Sequence, residues 1–368
     1  MYYQRIVIKL GTSTLTGGAN KISPSKVFDI VRQVVALRAD GSQVILVSSG
    51  AIAAGREALN FPDLPRFLPA KQMLAAVGQP RLMGLYDQFF RMYSETAAQV
   101  LLTRTDLSDR RGYLNAHDTI EALLGQGVIP IINENDTVAT EEIRFGDNDS
   151  LSALVANLIE ADLLILLTDQ PGFFTSDPRR NANAQLIPTI ASLEIPEEIW
   201  KAADGTSTGL GTGGMTTKLH AADLARRSGT TTVIAFGGDT DILLRIGGKE
   251  AVGTIILPVA NKLEGKKRYI LAGMRATGAL SIDAGAVKAL EEGGSLLPVG
   301  VKKVKGNFER GDTVRVVDPT GKEIALGLVN YASKDLLRCA GHRSVEIEPI
   351  LGYTFGDEVI HRNNLFLL

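Results

Sequence analysis

Seven short segments dominated by Ile, Val and Leu punctuate the first 258 residues, and they constrain the fold more than any other feature. They are Arg5–Leu10, Val44–Ser48, Ala98–Leu102, Val128–Ile132, Leu163–Thr168, Thr232–Phe236 and Thr254–Leu257. A strand wet on one face alternates apolar and polar residues. A strand that is apolar throughout must be covered on both faces, as in a parallel sheet. Amphipathic segments fill the intervals. One carries Val27, Ile30, Val31, Val34 and Val35 behind Ser23-Pro24, a serine cap with proline in the first turn. Another carries Leu151, Leu154, Val155 and Leu158 behind Asp149-Ser150. The alternation predicts an α/β fold: a three-layer sandwich with a mostly parallel central sheet and helices on both faces.

Near residue 259 the rhythm breaks. Residues 259–274 are polar and basic, with Lys266-Lys267-Arg268 in a row, and read as a linker. Residues 275–368 read as a small β-rich domain. Thr313–Val317 and Ile324–Val329 flank the turn Asp318-Pro319-Thr320-Gly321. Ser333–Cys339 reads as a short helix, and Val359, Ile360 and Leu365–Leu368 are candidates to close the sheet. Residues 1–258 then form the first domain. Charge divides the same way, with 16 basic and 13 acidic residues in 259–368 against 23 and 28 before it.

Composition excludes several classes. A single cysteine, Cys339, cannot form a disulfide within the chain, which argues against a secreted disulfide scaffold and for a reducing, cytoplasmic setting. No apolar run approaches the roughly 20 residues of a membrane helix. The first ten residues lack the cleavage pattern of a signal peptide. A formal net charge of −2 gives no global reason to expect nucleic acid or membrane binding.

In open α/β sheets ligands bind beyond the carboxyl ends of the strands, so the residues there carry the chemistry. After the first strand come Lys9-Leu10-Gly11-Thr12-Ser13, and after the second Ser48-Ser49-Gly50-Ala51. After the fourth comes Asn133-Glu134-Asn135-Asp136, followed by Gly146-Asp147-Asn148-Asp149. After the fifth comes Thr168-Asp169-Gln170-Pro171-Gly172. A glycine-rich loop, Gly209 to Lys218, runs into a helix ending near Ser228. Each alone is what turns and caps favour. Delivered together to one edge, two lysines, several amides and several carboxylates suit a site that clamps phosphates and an acidic, amino-bearing substrate. Small residues there let backbone N–H groups approach an anion.

Other motifs are weaker. Gly209-x-Gly211-x-x-Gly214 matches the dinucleotide pattern, but no strand precedes it, and Met215 stands where a P-loop needs lysine. The histidines, His117, His220, His342 and His361, are scattered, which gives a metal cluster or a Ser-His-Asp triad little support.

Val7 to Ser13, Ser48 to Gly55, Ile132 to Asp136, Gly146 to Asp149 and Gly211 to Lys218 together resemble the amino acid kinase family. Within it they are most similar to the branch that phosphorylates the γ-carboxylate of glutamate. The resemblance covers nearly the whole chain, with about 275–355 similar to a PUA domain. It departs only at Thr216, where serine is usual. It implies ATP and Mg²⁺, L-glutamyl 5-phosphate as product, proline biosynthesis as pathway, feedback inhibition by L-proline and a cytoplasmic homo-oligomer.

The resemblance also implies roles. Lys9 and Lys218 would flank the phosphates, with Asp149 orienting both. Ser49, Asp136, Asn148 and Asn133 would bind glutamate. Lys9, Gly11, Gly50, Thr168, Asp169, Thr212, Gly213, Gly214, Met215, Thr216, Thr217 and Lys218 would bind ATP. No direct protein ligand to Mg²⁺ is expected, because that ion keeps waters and leans on substrate phosphates. The alternatives are a family member acting on N-acetylglutamate or aspartate, a nicotinamide dehydrogenase, and an RNA-binding protein. PUA-type domains elsewhere bind RNA, but a net charge of +3 and no clear aromatic stacking set make that a minor reading.

Overall fold

The computed structural model describes residues 3–64, 67–139, 148–203, 214–259 and 276–368. They divide into two compact units, residues 1–108 with 115–263, and residues 109–114 with 264–368. Most of the expected linker, Gly146-Asp147 and the glycine loop as far as Gly213 lie outside the described residues.

The first unit is built on eight strands: β1 Arg5–Leu10, β2 Gln43–Ser48, β3 Ala97–Leu102, β4 Ile129–Glu134, β5 Leu163–Thr168, β6 Thr189–Ile190, β7 Thr231–Phe236 and β8 Thr254–Ile256. Their order is β3-β4-β2-β1-β5-β7-β8-β6, and every pairing is parallel except β7 with β8. The apolar runs explain why. Ile6, Ile8 and Leu10 enter one core cluster with Val27, Val31, Val34, Leu82, Tyr86, Phe90 and Leu243. The alternate residue Val7 and its register partners Ile45 and Leu164 are fully buried too. Both faces are therefore covered. The helices Asn148–Leu158 and Met215–Arg227 pack on β1 and β7, while Pro24–Ala39 and Leu68–Arg91 pack on β2 and β3.

The strand order reverses direction at β1. The chain leaves β1 for β2, the edge strand β3 and then β4 between them, before it returns to β5 on the other side of β1. The carboxyl end of β1 is thus the switch point, where ligands of open α/β sheets sit.

Two details differ from expectation. Ser23 occupies the cap position before Pro24, but its side chain makes no cap bond; its hydroxyl lies 3.0 Å from that of Ser25. The strand β6 has only two residues, too few to leave a period in the sequence.

The second unit is a five-stranded sheet of β9 Gly278–Ile282, β10 Val301–Gly306, β11 Thr313–Val317, β12 Glu323–Leu328 and β13 Leu365–Leu367, ordered β10-β9-β11-β12-β13. Leu280, Val314, Val316, Phe308, Tyr331 and Ile360 fill its core, and Ser333–Cys339 is the expected helix. It also holds an aromatic group that the sequence did not reveal. Tyr353 and Phe355 meet edge to face at 5.2 Å, and the Arg310 guanidinium lies 4.0 Å from the Phe355 ring centre. Tyr331, Tyr353 and Phe355 are split between two loop regions, so no local pattern announced them.

Candidate active site

The strand parity of β1 sends Lys9 to the same face as Val7, toward the Asn148–Leu158 helix. Asp149 stands in the first turn of that helix, where a carboxylate is favoured by the helix dipole. Lys218 stands in the first turn of the Met215–Arg227 helix. The three meet. Lys9 Nζ lies 2.5 Å from Asp149 Oδ1, and Lys218 Nζ lies 3.1 Å from Asp149 Oδ2. Thr217 Oγ1 also donates to Asp149 Oδ2, at 2.9 Å. Asp149 is fully buried, and the lysines are 5% and 6% exposed.

Burial alone would raise the Asp149 carboxyl. The two ammonium groups outweigh it and hold the carboxyl below its ordinary value. The result is one carboxylate fixing two cations at the switch point. Such an arrangement can stabilise an anion whose charge grows.

Gly50 caps the Ala51–Ala58 helix with φ of +107°, in the left-handed region. A Cβ there would come 3.1 Å from Leu15 and 3.2 Å from Ile22, so the position is closed to side chains on two grounds. Gly11 has φ of −75° and room for a Cβ, so its backbone does not demand glycine.

The amide-bearing residues form a second group. Asn148 Nδ2 donates to Ser49 Oγ at 2.9 Å and to Asn133 Oδ1 at 3.0 Å. Asn133 Nδ2 donates to Gln79 Oε1 at 2.8 Å, and Gln79 Nε2 to Gln99 Oε1 at 3.0 Å. Gln79, on the Leu68–Arg91 helix, is a member that sequence reasoning missed. Asp136 lies in the turn after β4 and lines a pocket of about 260 Å³ with Gln79, Gln99, Glu134 and Leu101. Burial pushes its carboxyl up to about 6.

Ser49, Asn133 and Asn148 are thus brought together, and Asp136 shares a pocket with their neighbour Gln79. Lys9, Asp149, Thr217 and Lys218 form the other group. Thr168 and Asp169 follow β5, with Thr168 Oγ1 donating to Asp169 Oδ1 at 3.0 Å. Gly214 caps the Met215–Arg227 helix and Met215 is buried. Thr216 donates to the Ala203 carbonyl at 3.0 Å rather than to the Asp149 group. Thr212 and Gly213 lie outside the described residues.

A parallel sheet with two lysines converging on one acidic residue at its switch point describes a phosphoryl-transfer enzyme without a P-loop. The amino acid kinase family matches residues 4–236, and the chain belongs to that family. A PUA domain matches residues 278–351. Curated relatives are close over the full length. The glutamate 5-kinase of Deinococcus radiodurans is 50% identical over 365 residues, covering 99% of this chain and 100% of that protein. The glutamate 5-kinase of Shewanella oneidensis is 51% identical over 367 residues, covering 100% and 98%. The glutamate 5-kinase of Photobacterium profundum is 51% identical over 366 residues, covering 99% and 96%. Family membership sets aside the dehydrogenase reading of Gly209 to Gly214.

Proposed function

We propose that this chain transfers the γ-phosphoryl group of ATP to the γ-carboxylate of L-glutamate, giving ADP and L-glutamyl 5-phosphate, the first step of proline biosynthesis. The observation that carries the reading is full-length similarity to glutamate 5-kinases, on a site whose charges suit the chemistry.

The attacking carboxylate is already a nucleophile, so catalysis reduces to positioning and charge stabilisation. Lys9 and Lys218 offset charge on the transferring phosphoryl group, and Asp149 holds both in place. The backbone at Gly11 and Gly50 donates to phosphate oxygens. Thr168, Asp169 and the segment from Thr212 to Lys218 hold the nucleotide. Ser49, Asn133 and Asn148 hold glutamate, and Asp136 receives its α-ammonium through charge-assisted hydrogen bonds. A free α-ammonium separates glutamate from N-acetylglutamate, which has none.

Mg²⁺ fits this donor set as a companion of ATP. Both Asp149 oxygens are engaged by lysines, and no group of three His, Cys, Asp or Glu suited to a metal occurs among the described residues. Phosphate oxygens and water would hold it, with Asp149 orienting its water; bound there it would neutralise phosphate charge.

Residues 1–258 form the catalytic domain in this reading, and 275–368 a separable module. A cytoplasmic homo-oligomer, inhibited by proline, accompanies it. No helix among the described residues is long and apolar enough to cross a membrane. The decisive experiment measures ADP release with glutamate, N-acetylglutamate and aspartate in parallel, with hydroxylamine trapping the acyl phosphate. ADP formation indifferent to glutamate would overturn the proposal.

A further inference from the structure

Backbone geometry fixes the direction of the amide chain beside Ser49. The Glu134 N–H can only donate, so the Asn133 atom it meets at 2.9 Å is Oδ1. That same oxygen accepts from Asn148 Nδ2. Asn133 must therefore turn its Nδ2 the other way, to Gln79. Gln79 must answer with Oε1, and so presents Nε2 to Gln99. One main-chain donor thereby orients every amide in the chain.

The consequence emerges at the far end. With its Nδ2 protons given to Ser49 and Asn133, Asn148 has only Oδ1 left to offer. That atom is buried and has no hydrogen-bond partner among the described residues. Ser49 Oγ, already accepting from Asn148, keeps its own proton to donate. The pair therefore keeps one unused acceptor and one unused donor, which match the ammonium and a carboxylate of an amino acid.

We propose that Gln79 is a positioning residue that sets this polarity, acting through Asn133 on Asn148 and Ser49. Gln99, at the far side, is exposed on the edge strand β3 and can turn to suit its neighbour. Gln79 is 9% exposed, and both ends of its amide are held, Oε1 by Asn133 and Nε2 by Gln99. Its helix is also clamped, because a Cβ on Gly78 would overlap the Ala51 carbonyl oxygen. The proposal rests on the reading of Ser49, Asn133 and Asn148 as glutamate-binding residues.

Three substitutions separate polarity from packing. Gln79→Glu keeps an acceptor toward Asn133. Gln79→Met keeps the volume with no comparable acceptor. Gln79→Lys offers only donors and opposes the Asn133 orientation. The expected result is a glutamate KM near the parental value for the Glu variant and raised about tenfold for the Met and Lys variants, the size of one buried hydrogen bond left unmade. The ATP KM should stay near parental in all three. A packing role predicts the reverse order, with Met benign and the buried carboxylate harmful, and that order would overturn the proposal. If the Met variant does not fold, the Glu and Lys variants carry the same comparison. Asn148→Ala is the control. An unchanged glutamate KM in that variant overturns the site reading itself, whereas a raised KM there with a parental Gln79→Met overturns the polarity proposal alone.

Discussion

Lys9 Nζ and Asp149 Oδ1 lie 2.5 Å apart at the carboxyl end of the central strand, and neither side chain is more than 7% exposed. A buried carboxylate between two ammonium groups is a structural part as well as, in the proposed mechanism, a catalytic one. Asp149→Asn keeps the shape and removes the charge that Lys9 and Lys218 share. Leaving buried charge uncompensated costs on the order of 3–5 kcal/mol, so this variant is expected to unfold at markedly lower urea. Its kcat should fall sharply, because the lysines lose their common anchor. Because the Asp149 carboxyl is held below its ordinary value, its contribution to stability is present above the unfolded value and lost as pH falls through the folded one. The parental midpoint should therefore drop toward strong acid more steeply than that of the Asn variant. Parallel acid profiles would contradict this.

Lys9→Ala and Lys218→Ala test the charges separately. Each ammonium acts most on the charge of the transferring phosphoryl group, so the loss should fall on kcat far more than on the glutamate KM. Losing such a contact costs about 3 kcal/mol, roughly 10²–10³-fold in rate. Steady-state kinetics on the two single variants would decide, and near-parental kcat in either would remove that lysine from the mechanism.

The residues at strand ends were legible because a parallel sheet has one productive edge. Lys9 stands near the carboxyl end of an apolar strand, Asp149 opens a helix and Lys218 stands in the first turn of another, and each pattern is local. Their convergence is not local; it depends on the strand order around β1, which the spacing of residues does not encode. Gln79 escaped for a different reason. It sits inside a helix that Pro80 interrupts in pattern, and its partner Asn133 is far along the chain. The aromatic group of the second unit was missed likewise, because Arg310 lies far in sequence from the ring it covers.

The contact between the Ala51–Ala58 and Leu68–Arg91 helices depends on glycine at two positions. A Cβ on Gly55 would overlap the Leu74 carbonyl oxygen, and one on Gly78 that of Ala51. Both neighbours are backbone atoms and cannot swing aside. Gly78→Ala must therefore push the helices apart, at about 1–3 kcal/mol for overpacking. Moving the second helix also moves Gln79. The expected outcome is a lowered thermal midpoint together with a raised glutamate KM. Gly84→Ala on the same helix meets open space and is the control, expected to keep the parental glutamate KM and to melt no lower than the parent, since alanine is the better helix former. A Gly78→Ala protein with parental stability would show that the helices can separate freely.

In the proposed site, Asp136 is the residue expected to make glutamate binding depend on pH. Burial raises its carboxyl to about 6, so between the ordinary carboxylate value and about 6 it is protonated in the folded protein and ionised in the unfolded chain. Its contribution to stability is fully present below the unfolded value and is lost as pH rises through about 6. Binding runs the opposite way, because the glutamate ammonium needs an ionised acceptor. The parent should therefore lose kcat/KM for glutamate as pH falls below about 6, approaching tenfold per pH unit when a single ionisation governs binding. The ATP KM should vary little over the same range. Asp136→Asn carries no titrating charge, so its kcat/KM should be low throughout and show no break near pH 6. The same variant should melt at higher temperature than the parent at pH 8, where the parent must hold a half-buried carboxylate, and the gap should narrow toward pH 5 and close only below the ordinary carboxylate value. Initial rates and thermal melts across pH 5–8 on the two proteins test both halves. A break that persists in the Asn variant would assign the titration to another group.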